Sequence, residues 1–191
     1  MLAIDGRVIE IVDAMTTLRP AGFAPAAGIA LWQLGFRPFY LLASTFAAFS
    51  IALWAAQFNG LLDNAYLAGP LWHAHEMLFG FALAVIVGFL FTAGRNWTNR
   101  PTPSGPLLMI LALWWLAGRV LVLTPFAIAA AIVDVTFAFA VAVALAIPFW
   151  AARNRRNYFF IALLALLGLA NLATHLARLG ALDIPAAYGI R

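Results

Sequence analysis

His73, His75 and Glu76 stand at the head of the stretch PLWHAHEMLFGFALAVIVGFLFTAG, residues 70–94. Imidazole and carboxylate side chains bind transition metals and move protons. The run behind them is unlike a soluble active site. From Met77 to Gly94, 18 residues pass without a formal charge, long enough to be read as a transmembrane helix. Ionisable groups at the mouth of such a helix are costly in lipid, so they are expected to face the protein interior and to be functional. The chain has one more histidine, His175, in NLATHLARLG beside Asn171 and Arg178.

Helical geometry sorts these residues. His73 and His75 are two apart and point about 200° away from each other on a regular helix. They cannot then bind one ion, unless the first turn is irregular; otherwise each serves a different centre. Glu76, Gly80, Ala84 and Gly88 recur every four residues, a small-residue face for close helix contact that turns Glu76 into a bundle. Gly168, Asn171, His175 and Arg178 form a comparable stripe, in which Asn171 is placed to bond a ligand or to orient His175. Arg119 and Arg178 are the cations available to neutralise carboxylates. Plainer readings compete. In these, His73 and His75 are interfacial residues beside Trp72, Glu76 is an ion-pair partner of Arg119, and Met77 is an ordinary apolar residue. For Asp134 the structural role, pairing with Arg119, is the one expected.

These residues need a membrane to hold them. The chain is 65% hydrophobic and 9% charged over 191 residues, with a mean hydropathy of +0.97, against about 25% charged in soluble domains. There is no cysteine, which removes disulfides and thiolate metal sites and leaves His, Met and carboxylates as side-chain ligands. The net charge of +4 comes from arginine alone. It is not clustered into a basic face, so nucleic-acid binding is not expected.

Charge-free stretches predict an all-α, polytopic transmembrane bundle of five spans near residues 36–58, 71–93, 106–123, 126–150 and 157–179. Residues 1–30 are expected to form a surface-lying or ill-ordered tail, 31–180 the bundle, and 181–191 a second tail. Asp5, Glu10 and Asp13 argue against a signal peptide. Arg7, Arg19, Arg37, Arg95, Arg100, Arg153, Arg155 and Arg156 fall on one side of a five-span topology. That side is expected to be cytoplasmic, with the N-terminus there and the C-terminus outside. All three histidines, with Arg119 and Arg178, then share the outer level, while Asp134 is expected roughly 13 Å deeper by helical rise.

The strings LGFRPFYLLA (34–43), WHAHEMLFGFALAVIVGFLFTA (72–93), NWTNRP (96–101) and LAGRV (116–120) resemble the NnrS family, with NLATHLARLG (171–180) fitting its late histidine. Those are polytopic bacterial membrane proteins described as containing haem and copper and as linked to the nitric oxide response. The chain departs from the family pattern at Gly94-Arg95 and at Asn99, where the family has a glycine after NWT. Family members have about twice as many helices, so the resemblance covers their N-terminal half. It implies a multi-pass protein of the bacterial inner membrane with a haem, or a haem and copper, held by His175 with His73 or His75. Arg119, Arg178 and Asn171 would support that cofactor, Glu76 would handle protons, and nitric oxide is the candidate ligand in a redox or NO-handling activity. A second half or a second copy would complete the bundle. Two other classes stay open: half of a proton- or ion-coupled transporter with Glu76, His75 and Asp134 as relay, and a structural partner that needs another chain.

Overall fold

A computed structural model describes residues 29–62 and 65–182. The expected tails 1–30 and 181–191 lie almost wholly outside the described residues. Five helices account for the fold: α1 (Phe36–Phe58), α2 (Gly69–Thr98), α3 (Gly105–Leu121), α4 (Ala127–Ala151) and α5 (Phe159–Arg178). Short 3-10 turns at Ala30–Gln33 and Arg155–Asn157 precede α1 and α5. Four of the five helices are long and apolar enough to cross a membrane; α3, at 17 residues, is shorter. Gly-Pro pairs open α2 and α3, with Gly69 and Gly105 at φ of 60° and 58° and the prolines in the first turn. Proline is preorganised for that position and lacks the N–H that would go unpaired there.

Sequence also sets where α2 stops. Asn99 ends it in the left-handed region at φ 50°. Asparagine and glycine are the residues that accept this conformation at a helix end.

α4 lies at the centre, packed against α5, α3 and α2, while α1 packs on α2. The main core is aromatic and aliphatic, with Phe39, Phe91, Phe137, Leu145 and Phe149 fully or almost fully buried. The small-residue stripe on α2 is buried as expected, and Gly88 takes Phe39 and Tyr40 of α1 at contact distance. Polarity runs opposite to that of a soluble globule. Ile128, Ile147 and Trp150 are 68%, 66% and 71% exposed, while His175 and Asn171 are fully buried. Such a distribution suits lipid as the surrounding solvent, where polar groups must find partners inside the bundle.

Candidate metal centre

Of the buried polar residues, His75, Glu76, Arg119, Asp134, Asn171 and His175 form one connected cluster with Tyr66, built by α2, α3, α4, α5 and the loop before α2. α2 brings His75 and Glu76, and its local geometry makes this possible. From Glu76 to Ala82 the helix widens into a π-turn, which shifts the phase of residues on either side and frees backbone carbonyls. Within this turn the Gly80 carbonyl accepts the indole N–H of Trp115 on α3 at 3.1 Å as well as the backbone N–H of Leu83. Gly80 also clears space. A Cβ there would lie 2.8 Å from Glu76 Oε2, 2.9 Å from Phe46 Cε1 and 3.0 Å from an Arg119 terminal nitrogen. Gly118, one residue before Arg119, lets Asp134 Oδ1 come within 3.2 Å of where its Cβ would be.

Arg119 is almost fully buried and pairs with both carboxylates, with Glu76 Oε2 at 3.2 Å and with Asp134 Oδ1. Its guanidinium also stands 5.8 Å from the Trp115 ring. Asp134 Oδ2 is the hub. His175 Nε2 approaches it at 3.1 Å, His75 Nε2 at 3.2 Å and Asn171 Nδ2 at 3.0 Å. His75 Nδ1 meets Glu76 Oε1 at 3.0 Å, and its Nε2 also meets Asn171 Oδ1 at 2.9 Å. The two imidazoles meet edge to face with ring centres 5.3 Å apart.

Tyr66 closes the cluster from the loop side. Its hydroxyl is 3.2 Å from His175 Nδ1, and its ring stacks on His175 at 5.7 Å. Backbone bonds from Tyr66 to Thr124 and from Leu67 to Val122 dock this loop onto the α3–α4 turn. Burial pushes the phenol above its usual pKa of 10.0, an effect partly opposed by Arg178, whose guanidinium lies 5.8 Å from the Tyr66 ring.

Two electrostatic facts define what this arrangement can do. Two carboxylates face one guanidinium, so the cluster lacks one positive charge, and buried charge without a partner is strongly disfavoured. Moreover, both ring nitrogens of His75 face oxygen acceptors. A neutral imidazole has only one N–H, so its other nitrogen would turn a lone pair toward a carboxylate. A second proton or a bound cation resolves both problems. His75, Asp134 and His175 each offer a ligand atom, all within 4.8 Å of one another and all buried.

The sequence expects His175 beside His73 or His75, and the structure brings His75 to it. His75 and His175 come together, while His73 turns away and stacks on Trp54 of α1 at 4.3 Å, interplanar angle 9°. Both ion pairs of Arg119, with Glu76 and with Asp134, are formed. Two expectations need correction. Asn171 bonds His75 and Asp134, not His175, because His175 has already spent its nitrogens on Asp134 and Tyr66. Asp134 is not a deeper group but is in contact with His75 and His175. Arg178 is exposed and reaches the cluster only through Tyr66. Tyr66 itself goes unmarked in the sequence, where a loop tyrosine carries no periodicity to give it away.

The residues present fit a small ion at His75, Asp134 and His175. They do not fit a porphyrin between the two histidines, because both Nε2 atoms converge on one carboxylate oxygen and the gap is filled by Asp134 and Asn171. In comparisons with known proteins, the family model described as NnrS protein matches residues 30–191. No curated protein and no solved structure matches the chain.

Proposed function

The chain belongs to the NnrS protein family, and from that premise we propose that it is a metal-dependent membrane protein of the nitric oxide response. Its metal would be held by His75, Asp134 and His175. The observation that carries this reading is the convergence of three buried ligand atoms within 4.8 Å of one another, beside two carboxylates that share one guanidinium. Nitrogen and oxygen donors of this kind suit copper or iron. When bound, such an ion supplies a coordination position for nitric oxide. The surrounding residues do the rest. Arg119 balances Glu76 and Asp134, Asn171 orients His75 and Asp134 together, and Tyr66 fixes the His175 ring. Glu76, bonded to His75 Nδ1, is the group next to the centre that can hold a proton.

In this reading the chain sits in the bacterial inner membrane and crosses it several times, and a second helical unit or a second copy covers the outward sides of α1 and α5. The test is metal content and the visible and paramagnetic spectra of protein purified from metal-replete cells, before and after nitric oxide. Stoichiometric metal with a spectrum altered by nitric oxide is expected, and His75→Ala or His175→Ala should abolish both. Equal metal content in wild type and both variants would sink the assignment.

One observation favours a second reading. Tyr66, His175, Asp134, His75 and Glu76 form a continuous hydrogen-bonded chain from the loop into the bundle. In a transporter this would carry protons, giving metal-free protein that acidifies the interior of proteoliposomes under an applied gradient.

A further inference from the structure

A second cluster of polar atoms sits where α1 ends and α2 begins, and the metal centre makes no use of it. Two rungs join the helices there. Gln57 Oε1 accepts the Gly69 N–H at 2.7 Å, and one turn away the Trp54 and His73 rings stack at 4.3 Å. Each rung leaves nitrogen atoms buried from solvent with no partner: Gln57 Nε2, Trp54 Nε1 and His73 Nδ1. Trp72, the neighbour of His73, adds a fourth in its indole nitrogen.

An indole near a membrane boundary normally keeps its N–H wet. Here the nitrogens are covered although Trp54, Gln57 and His73 are each only half-buried. The amide and indole nitrogens are donors, and the imidazole nitrogen becomes one in its Nδ1–H tautomer. Unpaired buried donors are costly, so three along two adjacent rungs call for acceptors. A single water accepts only two bonds and brings two further donors of its own. An anion such as a lipid phosphate calls for a cation, and the surroundings are apolar: Phe58 sits against Trp54 at 5.5 Å, with Leu53 and Leu71 packed nearby.

We propose that Trp54, Gln57 and His73 form a binding site for a quinone-type head group. That chemistry is neutral, lipid-soluble and planar, carries two carbonyl acceptors, and matches both the donors and the aromatic surroundings. His73 suits either redox form, because the other tautomer accepts a quinol hydroxyl. The site is independent of the metal centre, since His73 and His75 point to different sides of α2.

The test uses the whole chain in phosphatidylcholine nanodiscs, labelled with a photoreactive short-chain ubiquinone. Label is expected on peptides containing Trp54 or His73, displaced by unlabelled ubiquinone in excess. His73→Phe, which keeps the stack, and Gln57→Leu should each weaken displacement at least tenfold while metal content at His75 and His175 stays unchanged. Label scattered over the lipid-facing surface, undisplaced label, or wild-type affinity in both variants overturns the proposal. So does a tightly held phospholipid or haem recovered on Trp54 or His73. Should one variant fail to fold, by size-exclusion profile, the other decides.

Discussion

Replacing Arg119 with methionine removes the guanidinium that balances the buried cluster while keeping much of the side-chain volume. Glu76 and Asp134 are then left as two buried carboxylates without a cation, at 0% and 3% exposure. Breaking a buried pair by deleting one partner costs about 3–5 kcal/mol. Asp134 retains its bonds to His75, His175 and Asn171, so the lower figure of about 3 kcal/mol is expected for the metal-free protein. With a bound cation the sign reverses. The unbalanced charge at the site grows from one to two, so Arg119→Met should bind a cation more tightly than wild type does. Metal at a hundredfold excess over its Kd restores about 2.7 kcal/mol, nearly the whole loss. The assay is unfolding in detergent with and without added copper, for wild type, Arg119→Met, and the double variant Arg119→Met with Glu76→Gln. Removing one carboxylate along with the arginine should recover about half of the metal-free loss. A metal-free Arg119→Met within about 1 kcal/mol of wild type, the ordinary scale of an exposed pair, would refute the charge accounting. Copper that stabilises the variant less than wild type would refute the cation site.

Gly80→Ala should destabilise by about 1–3 kcal/mol, as overpacking does, because the added Cβ meets Glu76 Oε2, Phe46 and Arg119 within 3.0 Å; chemical unfolding in detergent measures this, and a neutral effect would show that the π-turn is not held tightly. Tyr66→Phe should cost about 1 kcal/mol through the lost bond to His175 Nδ1. Because burial raises the Tyr66 pKa, the phenol holds its proton in the fold at a pH where the unfolded chain has begun to lose it. Wild-type stability should therefore fall as pH rises above about 10, and the stability difference between Tyr66→Phe and wild type should narrow over the same range.

Much of the bundle is legible in the chain because lipid imposes a simple rule. Uncharged runs such as Met77–Gly94 can be little else than spans, and Pro70, Pro106 and Pro125 mark where helices start or cannot continue. The separation of His73 from His75 follows from 100° per residue and needs no tertiary knowledge. Pairing of Arg119 with both acids is legible for a related reason, since buried charges in lipid must find one another. The parts that stay hidden depend on three dimensions. Asn171 has two histidines to choose from, and only the bond of Tyr66 to His175 decides between them. Tyr66 is placed by its backbone bond to Thr124 and by that of Leu67 to Val122, which no spacing in the chain announces. Asp134 is misplaced by counting its rise from the turn without counting His75's rise along α2, six residues from Gly69 against seven from Ala127 to Asp134.

The π-turn at Glu76–Ala82 has a consequence for how this helix can vary. Its wider turn works like a joint between two shafts keyed at different angles. The upper shaft is keyed to the polar cluster through His75 and Glu76, the lower to α1 through Ala84 and Gly88. Deleting a single residue while the turn stays wide would rotate one shaft by about 100° relative to the other. Either the acids and imidazoles would swing toward lipid, or the glycine contact with α1 would open. In a chain that is 65% hydrophobic, where one apolar residue can stand in for another over much of the surface, change of length inside this one turn is the alteration the bundle has least means to absorb.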